Sequence, residues 1–175
     1  MKSRESCSWL PFYIKHHKIM NIVITRFTSS DEQFFLKLYS EHAQQNLPFL
    51  PHEQLDKIVE MQYLAQLSYY NNQWPDAITY LVQAEHLEIG KIILSKYQSG
   101  LHIIDVVIGE KYRNKGFGRK LLTLVEQRAL DIGCTKLTLS VATNNRAKKL
   151  YDYLGYKVTS QNETHTAMQK QLVKS

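Results

Sequence analysis

The residues in this chain best suited to chemistry stand between Tyr112 and Lys120, in the run Tyr112-Arg113-Asn114-Lys115-Gly116-Phe117-Gly118-Arg119-Lys120. Before it, Leu101 to Ile108 reads as a strand. After it, Phe117 to Leu130 carries Leu121, Leu122, Leu124, Val125 and Ala129 at helical spacing. A strand that turns into a helix here aims several free backbone N–H groups, and the positive end of the helix dipole, at one point. Gly116 and Gly118 carry no Cβ, so a ligand can approach that backbone closely. The chemistry such a turn supports is phosphate binding. A plain helix-entry turn would explain two glycines among basic residues equally well. Two other phosphate loops fail on residue type: a P-loop needs Lys-Ser or Lys-Thr after its last glycine, where Gly118 leads into Arg119-Lys120, and the dinucleotide fingerprint needs Gly or Ala where Leu121 stands.

The elements that must position this turn are legible from periodicity. Ile22 to Arg26 reads as a strand, and Ser29 and Ser30 as caps before a helix that Asp31 and Glu32 open and that runs to about Ser40. Pro51 suits a first helical turn, and Leu55, Ile58, Val59, Leu64 and Leu67 follow at helical spacing, so a second helix spans Pro51 to about Tyr70. Trp74-Pro75-Asp76 breaks the chain. Ile78 to Gln83, Leu87 to Tyr97 and Leu101 to Ile108 then read as three antiparallel strands. After the Phe117 helix, ending at Gly133, come a strand over Lys136 to Val141, a helix over Asn144 to Leu154 closed by Gly155, and strands over Tyr156 to Ser160 and Thr164 to Leu172.

With 43% hydrophobic and 22% charged residues over 175 positions, the chain suits one globular domain, expected over residues 20–175. Residues 1–19 read as a flexible extension: Lys2, Arg4, Lys15 and Lys18 surround a short apolar patch, Trp9 to Ile14, with no small-residue cleavage site of a secretory signal. The richest apolar run, Leu101 to Ile108, contains His102 and Asp105, so no membrane span is expected. Cys7 and Cys134 suggest neither a disulfide framework nor a metal site, and the expected compartment is the reducing cytoplasm. The net charge of +6 concentrates in Lys111 to Lys120 and Arg146 to Lys149. That pattern suits a phosphorylated small molecule better than nucleic acid, because no recognition helix, zinc motif or aromatic strip accompanies it.

Arg113-x-x-Gly116-x-Gly118, after a strand ending Asp105-Val106-Val107-Ile108, resembles the acetyl-CoA motif of the GNAT superfamily of N-acetyltransferases. One helix and one strand further on, Asn144-x-x-Ala147-x-x-Leu150-Tyr151-x-x-x-Gly155-Tyr156 resembles that superfamily's next conserved element. The resemblance covers Leu101 to Tyr156. It implies an α/β (α+β) GNAT fold: a mixed central sheet of about seven strands, antiparallel in its N-terminal part and splayed after the fourth strand, with helices on both faces.

The same resemblance implies acetyl-CoA as co-substrate, no metal, and a small-molecule or peptide amine as acceptor, with a homodimer left open. It implies that amides from Arg113 through Asn114, Lys115, Gly116, Phe117 and Gly118 to Arg119 hold the pyrophosphate, and that the backbone at Val107 and Ile108 pairs with the pantetheine arm. Asn144 would contact that arm or serve as an ordinary cap. Tyr151 matches the family's usual general acid, and Asp105 is the leading base because burial would raise its pKa. A structural carboxylate or a water-relayed base stays open. Tyr39, His42, Tyr63, Tyr69 and Tyr70 could line the acceptor end, or simply fill the core. The rival to catalysis is a degenerate GNAT-fold module that binds CoA or a protein.

Overall fold

The computed structural model of the protein describes residues 21–173. The expected extension over residues 1–19 therefore lies outside the described residues. The chain runs β1 (Ile22–Arg26), α1 (Glu32–Asn46), α2 (His52–Gln73), β2 (Ile78–Ala84), β3 (Leu87–Tyr97), β4 (Gly100–Ile108), α3 (Phe117–Asp131), β5 (Lys136–Ala142), α4 (Lys148–Tyr153), β6 (Lys157–Gln161) and β7 (His165–Gln171). The expected order holds. Neither Ser29 nor Ser30 caps α1: Thr28, whose N–H donates to Asp31 Oδ2 at 2.7 Å, caps a single 3-10 turn at Ser29–Asp31, and Asp31 is the N-cap of the helix that follows. The helix continues past Ser40 to Asn46, because Ala43 finds a buried place against Leu55 and Val59 of α2.

Seven strands form one sheet in the order β1-β2-β3-β4-β5-β7-β6. Every pairing is antiparallel except that of β4 with β5. Leu121, Leu122, Val125 and Ala129 of α3, with Tyr151 of α4, join Ile92, Ile103, Leu137 and Met168 in the main core on one face. Phe35 and Leu38 of α1 and Tyr63 of α2 cover the other face around Leu81. Cys134 is buried in the main core, in keeping with a structural cysteine.

Two irregularities in β4 create the site. Its parallel pairing with β5 runs only from Gly100↔Lys136 to Ile103↔Leu139, so from Ile104 onward its edge toward β5 carries no ladder. On the β3 side, Ile93 pairs with Asp105 and Leu94 with Ile103, which leaves Ile104 as an extra residue, a β-bulge. A one-residue bulge shifts the phase of side-chain alternation. Before it, Leu101 and Ile103 enter the main core; after it, Val106 and Ile108 do, and Asp105 and Val107 turn toward α1 and α2. β3 and β4 approach closely beyond the bulge: a Cβ on Gly90 would lie 2.2 Å from Val107 O, so only glycine fits there.

Candidate active site

Where β4 parts from β5, a cleft of about 820 Å³ opens. One wall is the free end of β4, from Asp105 to Ile108. A second is the turn into α3, a third the segment Asn145 to Tyr151, and the far end meets Leu38, Tyr39 and His42 of α1 and Gln66 of α2.

The turn is held in shape by its own residues. Arg113 gives its N–H to Glu110 O at 3.0 Å and its Nε–H to Ile108 O at 2.9 Å, which ties the loop to the end of β4. Asn114 (φ +59°) and Gly116 (φ +82°) then take left-handed conformations, for which asparagine and glycine are the suitable residues. The first amide returned into the helix is that of Lys120, to Gly116 O at 3.1 Å. The N–H groups of Phe117, Gly118 and Arg119 therefore have no intrahelical acceptor, and no side chain caps this end of α3. These orphan donors, with Arg119 and Arg146 beside them, suit an anionic diphosphate.

Of the residues expected at the site, Asp105, Val107, Ile108, Arg113, Asn114, Gly116, Gly118, Arg119 and Tyr151 all line the cleft. The side chains of three do not. The Phe117 ring is in the core, 5% exposed and edge-on to Tyr112, because the first helical turn points it at the sheet, while its N–H stays among the orphan donors. Lys115 is exposed at the outside of the turn. Asn144 is exposed as well, and it does not begin a helix: Asn145 donates its N–H to Ala142 O, its Oδ1 accepts the Ala147 N–H at 2.9 Å, and α4 starts only at Lys148. Asn145 takes the place on the cleft wall that was expected of Asn144. Arg119 also lies over the Tyr153 ring, 5.0 Å from its centroid.

Tyr151 is 8% exposed and packs edge-on against Tyr156, with ring centroids 5.6 Å apart. Burial first, and the negative charge of Asp105 second, push its pKa up to about 12. The phenol therefore keeps its proton, and its role as a donor, across the neutral range.

Asp105 is not the isolated buried carboxylate that the base assignment rested on. Its Oδ2 is 2.9 Å from Nζ of Lys91, whose side chain is only 3% exposed. Lys91 also donates to Tyr39 Oη at 2.5 Å, Tyr39 donates to Gln66 Oε1, and Gln66 Nε2 donates to Tyr70 Oη at 2.9 Å. This chain of contacts joins β4, β3, α1 and α2. Its sequence signal was a lysine inside the apolar run Ile89-Gly90-Lys91-Ile92-Ile93-Leu94, where a strand buried on both faces must supply a partner for any charge. Tyr39 and His42 line the cleft, Tyr63 and Tyr70 border a smaller cavity behind Lys91, and Tyr69 is exposed.

Burial raises the pKa of Tyr39, Tyr63, Tyr70 and Tyr156 as well as that of Tyr151. An unfolded chain releases these phenolic protons near pH ~10 while the fold resists release, so the folded state binds more protons above that point. The contribution of these rings to stability is expected to be level below about pH 10 and to be lost as pH rises toward 12, read as a drop in melting temperature across a series of alkaline buffers. A melting temperature unchanged to pH 11 would contradict the buried, protonated state of these rings.

A seven-stranded mixed sheet split between its two parallel strands matches the fold of the GNAT N-acetyltransferases. Residues 32–156 match the Acetyltransferase (GNAT) family, and the chain belongs to it. It is 37% identical over 76 residues to the uncharacterized N-acetyltransferase YycN of Bacillus subtilis (strain 168), a match covering 43% of this chain and 46% of that one. It is 39% identical over 56 residues to thialysine N-epsilon-acetyltransferase of Bos taurus, covering 31% and 33%. The matched stretch thus spans less than half the length of these curated relatives. Among solved structures, the PaiA N-acetyltransferase of Thermoplasma acidophilum in complex with coenzyme A is similar with a TM-score of 0.65 at 19% identity, over 87% of this chain and 99% of that one. The spermidine N-acetyltransferase of Vibrio cholerae in complex with CoA and spermine gives 0.62 at 17%, over 86% and 95%. Identities this low speak for the fold alone. Among the described residues no helix is long and apolar enough to cross a membrane.

Proposed function

We propose that the protein transfers an acetyl group from acetyl-CoA to a primary amine by direct attack within a ternary complex. The observation that carries this reading is the continuity of the cleft, which joins the uncapped start of α3 to Tyr151 and on to Asp105 and Tyr39 without a break. The orphan amides of Phe117 to Arg119, with Arg119 and Arg146, hold the pyrophosphate. The unladdered edge of β4 at Val107 and Ile108 offers backbone groups to the amide-bearing pantetheine arm, which lies against it like an added strand. That lays the thioester beside Tyr151. An ammonium entering from the α1–α2 side gives up one proton to Asp105, the freed amine nitrogen bonds to the carbonyl carbon, the carbon–sulfur bond breaks, and Tyr151 supplies a proton to the departing sulfur and is reprotonated by the second proton that the new amide nitrogen sheds.

Calorimetric titration of acetyl-CoA and coenzyme A into the purified chain tests this reading. Saturable binding in the micromolar range, followed by thiol release when an amine is added, is expected. Absence of binding would overturn it, and binding without thiol release across an amine panel would favour the degenerate module.

A further inference from the structure

Resting on that reading, we infer that Lys91 sets the acceptor class: the site takes an amine with a single positive charge and excludes polyamines. Among the described residues, Asp105 is the one carboxylate lining either the cleft or the cavity behind it. A polycation that leaves water needs a counter-charge for each ammonium it buries. Here the single available counter-charge is already shared, because Lys91 sits 2.9 Å from Asp105 Oδ2. The nearby Glu41 does not supply another, since it lies outside the cleft lining and accepts the Glu110 N–H at 3.4 Å.

The aromatic residues at this end offer no substitute. Faces of tyrosine rings attract cations, but Tyr39 already meets the protein's own ammonium: Lys91 Nζ lies 2.5 Å from its hydroxyl oxygen and 4.5 Å from the ring centroid, so a cation brought to this ring meets like charge. The smaller cavity bordered by Tyr39, Tyr63, Tyr70 and Phe35 holds only about 40 Å³ and has Lys91 in its wall. A second ammonium directed there meets like charge in a poorly solvated setting. One amine can still be served: the reacting nitrogen delivers its proton to Asp105, and the remainder of the acceptor meets Tyr39, His42 and Gln66, which suit hydroxyl or amide groups.

The test compares aminobutanol with diaminobutane, which share one carbon chain and differ only in whether its far end is a hydroxyl or an ammonium. The wild type is expected to acetylate aminobutanol with a kcat/KM at least about tenfold higher, and Lys91→Met, which frees Asp105, to shift that ratio toward the diamine by about tenfold or more. Lys91→Arg, which keeps the charge, should keep the wild-type preference. A merely structural role for Lys91 would lower both substrates together and leave the ratio unmoved, which would overturn the inference. Equal or better use of diaminobutane by the wild type would overturn it without any variant, so a Lys91→Met protein that fails to fold does not protect it. Loss of acetyl-CoA binding in the wild type would remove the acetyltransferase reading and this one together, whereas acetyl-CoA binding with diamine preference removes this one alone.

Discussion

Replacing Gly118 with glutamate is expected to weaken acetyl-CoA binding at least about a hundredfold, equivalent to roughly 3 kcal/mol, while leaving the fold in place. Gly118 lies in the first turn of α3, between two residues whose amides also lack an intrahelical acceptor, and it lines the cleft. A Cβ there would lie 3.2 Å from Leu150 Cδ2, the far end of a flexible side chain that can yield by a few tenths of an ångström. The cost to stability is therefore small, and Gly118→Ala should bind nearly as the wild type does. Glutamate adds what alanine does not: a carboxylate that competes for the same N–H groups and the same helix terminus as the pyrophosphate, and that repels it. Calorimetry on both variants, with melting temperatures to show that each is folded, separates bulk from charge. Unchanged affinity in Gly118→Glu would place the phosphates elsewhere.

That the glycine turn could be found from sequence, and the Lys91–Asp105 pair could not, has a physical reason. The turn is local: a strand signal, two glycines and a helical stripe lie within thirty residues, and the conformations of Asn114 and Gly116 follow from residue types adjacent in the chain. The acceptor end is assembled by register. Asp105 faces α1 only because Ile104 is extra in the β3–β4 ladder, and no alternation of apolar residues within Leu101 to Ile108 announces which residue will bulge. Its partner Lys91 comes from the neighbouring strand and Tyr39 from a helix over fifty residues earlier, so each looked like an isolated polar or aromatic residue. The shift from Asn144 to Asn145 is a smaller failure of the same kind. Either asparagine could begin a helix, and the turn closed by Asn145 Oδ1 on the Ala147 N–H decides between them.

Removing the Tyr151 hydroxyl, by Tyr151→Phe, is expected to lower kcat roughly tenfold to a thousandfold and to leave acetyl-CoA affinity nearly unchanged. The ring fills its place in the core either way, against Tyr156, so the substitution subtracts a proton donor and little else. A phenol pushed up to about 12 is a reliable donor but a weak acid. Full transfer to a solvated thiolate, whose pKa is near ~8.5, would run uphill. The transfer becomes workable only where burial raises the thiolate's basicity as it raised that of the phenol, and until then Tyr151 stabilises the developing charge on sulfur through a hydrogen bond. Two readings of pH follow. Tyr151 remains protonated to about pH 12, so any alkaline fall in wild-type kcat between pH 9 and 11 belongs to another group and should persist in Tyr151→Phe. If that fall vanished in the variant, Tyr151 would titrate in the neutral-to-alkaline range, against the burial seen here, and equal turnover by the two proteins would remove the phenol from the reaction altogether.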